Sequence, residues 1–135
     1  PSFKEYARQV VANAQTLAAE LEKAGVRMVS GGTDNHLMLA DLTPMEVTGK
    51  EVATALDQAL ITVNKNAIPF DKQKPFVTSG IRLGTPAVTT RGMKEKDMAQ
   101  IAAWVGQIAA DVDNEKLQRR IRDEVVAFTE QFPVP

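Results

Sequence analysis

The feature that most constrains the fold of this chain is an apolar stripe along its first residues. The spacings of 4, 3, 4, 3 and 4 residues place six apolar side chains on one face of an α-helix: Phe3, Ala7, Val10, Ala14, Leu17 and Leu21. Ser2 and Glu5 have the spacing of a capping box, and Gly25 stands where a left-handed residue ends many helices. The chain therefore begins with a long amphipathic helix that needs a second apolar layer.

The same helical period returns in the C-terminal third and predicts two more helices. The first carries the apolar residues Met98, Ile101, Ala102, Val105, Ile108, Ala109 and Val112, and the second carries Leu117, Ile121, Val125, Phe128 and Phe132, with Asp113 and Asn114 between them. A capping box at Thr48 and Glu51 opens a further helix through Leu60. Thr85 and Pro86 predict a short helical turn that ends near Gly92.

Four β-rich runs lie between these helices. Residues 26–30 and 36–42 flank the glycine-containing segment 31–35 and predict an antiparallel hairpin. Further strands are predicted at 61–63 and 80–84, and the residues between them, 64–79, have neither period and form a long loop. The order predicts an α+β fold in a single domain, residues 1–135, with a small, mostly antiparallel sheet covered by helices.

Composition excludes several classes of function. A net charge of -1 and a pI near 5.9 provide no field that would attract nucleic acid or acidic membranes. The absence of cysteine excludes disulfides and thiolate catalysis and fits a reducing compartment, so we expect a cytoplasmic protein. The longest uncharged stretch, residues 98–110, is shorter than the about 20 residues that cross a bilayer. With neither an initiator Met nor a signal sequence, we expect the chain to start inside a longer protein.

Metal and nucleophile sites have little support in the sequence. His36 is the only histidine, which disfavours a multi-histidine metal site or a catalytic triad, and its place at the head of a predicted strand favours a structural role. No glycine-rich phosphate loop is present. Lys65 has two interpretations: a Schiff-base nucleophile if burial removed its charge, or a solvated loop lysine. We predict no metal ion.

Arg82 is the strongest single candidate for binding. It lies between Ile81 and Leu83 in a short strand bounded by Gly80 and Gly84, where a guanidinium needs a counter-charge. The counter-charge is either the carboxylate or phosphate of a ligand, which the flanking glycines would let approach closely, or an internal Asp or Glu. The sequence leaves both possibilities open.

The long loop offers a second candidate. Asn66, Lys74 and Phe76 supply an amide, a charge and an aromatic face along one segment, which suits a flat heteroaromatic ligand. The alternative is an ordinary loop without a ligand, because loops commonly contain such residues.

Three segments in order resemble the C-terminal part of serine hydroxymethyltransferase. They are residues 31–37 (GGTDNHL), 61–66 (ITVNKN) and 75–87 (PFVTSGIRLGTPA), and the resemblance extends over essentially the whole chain. It implies the small C-terminal domain of a fold-type I enzyme that uses pyridoxal phosphate as an electron sink. Such an enzyme, a glycine hydroxymethyltransferase of one-carbon metabolism, interconverts serine plus tetrahydrofolate with glycine plus 5,10-methylenetetrahydrofolate.

The resemblance also assigns roles to residues. It implies that Arg82 binds the carboxylate of serine or glycine and that Asn66, Lys74, Pro75 and Phe76 contact tetrahydrofolate. Lys74 stands where many members have serine, so only its backbone is expected to keep that contact.

The family's cofactor-binding lysine follows a threonine-rich run and a histidine, and no such stretch occurs in this chain. The resemblance therefore implies that a large domain of the same polypeptide holds pyridoxal phosphate, that this chain is inactive by itself, and that the whole enzyme is a homodimer or a larger homo-oligomer. The alternatives are a free-standing anion-binding or regulatory module and a scaffold that uses its amphipathic helices for association.

Overall fold

The computed structural model describes residues 3–29 and 37–133. They form five α-helices, a four-stranded sheet and one 3₁₀ turn at Thr43–Met45. In chain order the elements are α1 (Phe3–Lys23), β1 (Arg27–Met28), β2 (Leu37–Asp41), α2 (Gly49–Gln58), β3 (Asn64–Asn66), β4 (Gly80–Gly84), α3 (Pro86–Thr90), α4 (Glu95–Ala109) and α5 (Glu115–Thr129). None of the helices in these two ranges has both the length and the hydropathy that a bilayer-spanning segment needs.

The sheet has the strand order β1-β2-β4-β3, and each neighbouring pair is antiparallel. Its register places Leu39 and Asn64 on either side of Arg82, which makes Arg82 central in the sheet. One face of the sheet contributes Met38, Ala40, Ile81 and Leu83 to the buried core. The predicted α+β class, an antiparallel sheet covered by helices, is confirmed.

Helix α1 has the predicted stripe, and four of its six apolar residues are buried. Helix α4 packs against it, and Gly106 allows the close approach, since a Cβ there would lie 2.7 Å from the Cβ of Ala24. Gly25 has φ +96°, as expected for the residue after a helix. The proposed partner of Glu5 in a capping box, Ser2, lies outside the described residues.

The hairpin is confirmed, although β1 is shorter than predicted. Arg27 pairs with Asp41 and Met28 with Ala40, and the Arg27 guanidinium lies 2.7 Å from the Asp41 carboxylate. The connection at 30–36, with the glycine pair and His36, lies outside the described residues. The structural role of His36 therefore stays a prediction.

The predicted strand at 61–63 is wrong, and β3 instead covers Asn64–Asn66. Helix α2 ends where Leu60 takes a left-handed φ of 65° and the Ile61 N–H donates to Leu56 O at 2.9 Å. Ile61 and Val63 then pack, half-buried, against the core from an irregular segment. Both side chains are branched at Cβ, which favours a strand, but here packing against the core determines their conformation. The first three residues of the predicted loop are therefore a strand.

The remaining elements agree with the prediction except at their ends. Helix α3 ends at Thr90, before Gly92, and α4 and α5 end before Val112 and Phe132. Asn114 caps α5, since its side chain accepts from the Leu117 N–H at 3.0 Å.

The predicted capping box of α2 is formed, and it provides a test of the fold. Thr48 Oγ1 accepts from the Glu51 N–H at 3.2 Å, and Glu51 Oε1 accepts from the Thr48 N–H at 3.0 Å. Replacing Thr48 with alanine should lower the free energy of unfolding by about 1 kcal/mol. Urea unfolding measures this free energy. Thr54→Ala, at an exposed position of the same helix, is the control. Equal losses in the two variants would show that the cap contributes nothing.

Candidate functional site

Arg82 lies on the outer face of the sheet, opposite the core. Successive residues of a strand alternate between faces, so the burial of Ile81 and Leu83 places Arg82 on the other side, where it is exposed. Within residues 3–29 and 37–133, no carboxylate lies within 4.0 Å of its guanidinium. The internal ion pair that the sequence left open has no partner in this part of the chain, and the guanidinium is free to bind a ligand.

The two glycines that flank Arg82 have different roles. A Cβ at Gly80 would lie 2.7 Å from Ala40 O and 2.9 Å from Asn66 O, so this glycine is required by the protein's own backbone. The expectation that it lets a ligand approach is therefore wrong for Gly80. Gly84, at the other end of β4, is exposed.

Two asparagines of β3 share the face of Arg82. Asn64 is its direct cross-strand partner, and Asn66, two residues further along the strand, points to the same side. The Asn66 amide Nδ2 donates to Ala67 O at 2.9 Å, and its oxygen has no hydrogen-bond partner among the described residues. This part of the sheet therefore offers a cation and amide groups together.

Lys65 lies on the opposite face. It pairs with Ile81, so its side chain starts from the side of the sheet that carries the core. It is exposed, as is every other lysine of the chain, all of which fall in the described residues. A Schiff-base lysine needs burial or a charged neighbour to lose its proton. The lysines of this chain therefore do not fit pyridoxal phosphate, and the interpretation of Lys65 as a solvated lysine holds.

The loop between β3 and β4 is organised by Asp71, a residue that the sequence did not single out. Its Oδ2 accepts from the N–H groups of Ile68 at 3.1 Å and Ser79 at 2.8 Å. Its Oδ1 accepts from the Gln73 N–H at 2.8 Å and the Ser79 hydroxyl at 2.7 Å. One carboxylate thus joins the start, middle and end of the loop. An aspartate between residues that favour turns was the available signal.

These hydrogen bonds change the acidity of Asp71. Partial burial works to raise the pKa of its carboxyl, but the bonds from Ser79, Gln73 and Ile68 outweigh burial and lower the pKa from 3.8 to about 2. A depressed pKa means that the charged carboxylate stabilises the fold above pH 4. This stabilisation should disappear as the pH falls from about 4 to about 2. In an NMR titration of the folded protein, the N–H signals of Ile68, Gln73 and Ser79 should shift together with a midpoint near pH 2, the pKa of Asp71 in the folded state.

Substitution of Asp71 tests the same organisation at neutral pH. The amide introduced by Asp71→Asn would present an NH₂ group to N–H donors, so this change should loosen the loop and speed tryptic cleavage after Lys72 about tenfold. Asp113→Asn, at an exposed site between α4 and α5, is the matched control. Equal cleavage rates in both variants would show that Asp71 does not hold the loop.

The far end of the loop is fixed to the start of α2. The N–H groups of Gly49 and Lys50 donate to Thr78 O and Val77 O, each at 3.0 Å. Thr78 has a left-handed φ of 58°, and its hydroxyl donates to Gly80 O at 3.0 Å. Two of the N–H groups that a helix start leaves without partners are thus satisfied by the loop, which ties its conformation to α2.

Lys74, Pro75 and Phe76 form a tight, exposed turn in this loop. The Lys74 carbonyl accepts from the N–H groups of Val77 at 2.9 Å and Thr78 at 3.0 Å. The side chains of all three residues are exposed, and Phe76 exposes 59% of its surface. In the part of the chain that the structure describes, the Lys74 N–H has no partner. The turn therefore presents an aromatic face and a free N–H on an otherwise fixed backbone.

No group of three acidic or histidine side chains within residues 3–29 and 37–133 is placed to hold a metal ion.

The family model of serine hydroxymethyltransferase matches residues 1–105, from the start of the chain into α4. The matched stretch contains Arg82, both asparagines beside it and the whole loop with Asp71 and the 74–76 turn. Helix α5 lies beyond it.

Proposed function

Because this chain belongs to the serine hydroxymethyltransferase family, we propose that it is the substrate-recognition domain of a glycine hydroxymethyltransferase. That enzyme interconverts serine plus tetrahydrofolate with glycine plus 5,10-methylenetetrahydrofolate. The observation that carries the proposal is Arg82: a guanidinium on an open sheet face, within the family match, with no carboxylate partner among the described residues.

Arg82 would bind the carboxylate of the amino acid. The planar guanidinium offers two parallel N–H groups that match the two oxygens of a carboxylate, which fixes orientation as well as position. Its place on a central strand, paired on both sides, holds the start of the side chain rigidly. Arg82 thus has a positioning role and transfers no proton.

The loop would bind tetrahydrofolate. Asn66 supplies an amide oxygen without a hydrogen-bond partner in the described residues, Phe76 an exposed ring for the flat pterin, and Pro75 an apolar neighbour. Lys74 would contribute its free N–H, and its charged side chain is also exposed. The hydrogen bonds of Asp71 would hold these groups in place before the ligand arrives, which lowers the entropic cost of binding.

Pyridoxal phosphate would be bound outside this chain. All of its lysines are exposed, and Lys65 lies on the face of the sheet opposite Arg82, so we assign it no step of the cofactor's chemistry. The partners of this domain would be a large cofactor-binding domain of the same polypeptide, serine or glycine, and tetrahydrofolate. The whole enzyme would be a cytoplasmic homodimer or larger homo-oligomer.

The two exposed phenylalanines of the loop provide a test of folate binding. In the complete enzyme, Phe76→Ala should raise the KM for tetrahydrofolate about fivefold, because stacking on the pterin is lost, and should leave the KM for serine unchanged. Phe70→Ala is the matched control, since Phe70 lies in the same loop and is 99% exposed. Steady-state kinetics, with the concentration of each substrate varied in turn, measures both KM values. An equal effect of the two substitutions would contradict the assignment of Phe76.

A further inference from the structure

In the described part of the chain, strand β4 is paired on both sides up to Arg82 and on one side beyond it. The register with β3 ends at the pair of Arg82 and Asn64. Among the described residues, Leu83 and Gly84 pair with β2 alone. A segment with fewer backbone hydrogen bonds opens more readily than a fully paired one. The position of the backbone after Arg82 therefore depends on what fixes the far end of β4.

Thr85 fixes this end of the strand. It follows β4 directly, it has no exposed surface, and its hydroxyl donates to Val10 O of α1 at 2.8 Å. The Thr85 carbonyl accepts from the Thr89 N–H at 2.9 Å, so the same residue also leads into α3. A hydrogen bond between residues 75 positions apart thus attaches the end of β4 to the middle of α1.

The bond from Thr85 to Val10 O is additional for the helix but not for the strand. In an α-helix, the N–H of the residue four positions on, here Ala14, already bonds to the Val10 carbonyl, so α1 does not need a second donor. The Thr85 hydroxyl is fully buried, so water cannot replace its partner. The bond therefore determines where the end of β4 lies against α1 rather than maintaining the helix.

A second buried link joins α1 to the same region without holding the strand. Asn13 has no exposed surface, and its Nδ2 donates to Thr89 Oγ1 at 2.8 Å and to Met93 O at 3.0 Å. Thr89 lies inside α3 and Met93 beyond it, whereas Thr85 is adjacent to β4. Thr89 is therefore a matched comparison for Thr85: it is the same residue type, buried and hydrogen-bonded to α1.

We propose that Thr85 is a positioning residue for the amino-acid substrate, because it holds the end of β4 on α1 and thereby the backbone from which Arg82 reaches the carboxylate. This inference rests on the proposed function, which gives Arg82 that role. Without the hydroxyl, Val10 O would face a methyl group in a contact without water, and the end of β4 would move away from α1. A displacement of about 1 Å is enough to weaken a well-oriented contact severalfold. Thr85 is buried and itself touches no substrate.

Kinetics of the complete enzyme test the proposal with two substitutions of Thr85. Thr85→Val keeps the shape of the side chain and removes the hydroxyl, so the KM for serine should rise about fivefold, while kcat and the KM for tetrahydrofolate stay within about twofold. Thr85→Ser keeps the hydroxyl and should bring the KM for serine back to within about twofold of the parent value. Thr89→Val is the control, and it should lower the thermal midpoint without changing the KM for serine. A merely structural role of Thr85 would give the same result in Thr85→Val as in this control.

Hydrogen–deuterium exchange of the same enzymes, without substrates, gives a readout that does not depend on activity. The backbone N–H groups of residues 82–84 should exchange about threefold faster in Thr85→Val than in the parent enzyme, and at the parent rate in Thr85→Ser and Thr89→Val. Unchanged exchange in Thr85→Val, or an unchanged KM for serine, would overturn the proposal.

The substitution Arg82→Lys separates this proposal from the proposed function. If Arg82→Lys raises the KM for serine and Thr85→Val does not, only the positioning role of Thr85 fails. If Arg82→Lys leaves the KM for serine unchanged, the proposed function fails, and the positioning role fails with it even where exchange at residues 82–84 is faster.

Discussion

Arg82→Lys in the complete enzyme should raise the KM for serine about a hundredfold. A lysine keeps the positive charge, but it is a point donor and cannot reproduce the two parallel N–H groups of a guanidinium. A charge-assisted bidentate contact contributes on the order of 3 kcal/mol, which corresponds to this loss. Arg82 is exposed and has no ion pair with any of the described residues, so the substitution breaks no salt bridge among them. Arg82→Lys should therefore weaken the binding of serine without destabilising the fold.

The readout is the KM for each substrate separately, together with the thermal midpoint. The KM for tetrahydrofolate should stay within about twofold, because the substitution leaves in place the groups that we assign to folate, which are Asn66 at the end of β3 and residues 74–76 of the following loop. Arg119→Lys on the exposed surface of α5 is the control and should change neither constant. An unchanged KM for serine in Arg82→Lys would remove the basis of the proposed function.

Gly49→Ala should lower the free energy of unfolding by about 3 kcal/mol or more. A Cβ at Gly49 would overlap the backbone oxygen of Gly80 and the hydroxyl of Thr78, and a backbone oxygen in a paired strand cannot move aside. Gly49 also joins the start of α2 to the end of the loop, because its N–H donates a hydrogen bond to Thr78 O. The substitution should therefore loosen the loop as well as the helix.

Gly25→Ala is the comparison for Gly49→Ala, because it strains the backbone conformation without introducing a steric overlap. Gly25 has φ +96°, but nothing lies within 4 Å of the position of its Cβ, so alanine there should cost only about 1 kcal/mol. Urea unfolding of both variants gives the comparison. If Gly49→Ala lowered the free energy of unfolding no more than Gly25→Ala does, the close packing of α2 on β4 that the structure shows would be contradicted.

The parts of the fold that depend on local sequence were predictable. The apolar stripe of α1 and the cap of α2 at Thr48 depend on residues three or four positions apart, and each appears as expected. The strand at Gly80–Gly84 was also predicted with its correct ends, because glycines bound a run of β-forming residues. The family resemblance, based on segments that include this strand, is confirmed over residues 1–105.

The parts that depend on tertiary contacts were not predictable. Ile61 and Val63 have high strand propensity, but packing against the core places the strand at Asn64–Asn66 instead. Whether Arg82 had an internal partner depended on which carboxylates the fold brings near it, which no local pattern gives. Asp71 was missed for the same reason, because its bond to Ser79 spans eight residues of irregular chain.

A crystal structure of the complete enzyme with glycine bound tests the central claim most directly. The account predicts that the guanidinium of Arg82 donates two hydrogen bonds to the glycine carboxylate at roughly 2.7–2.9 Å, from the outer face of the sheet that it shares with Asn64. A glycine carboxylate bound by other groups, with Arg82 making no contact to it, would contradict the account.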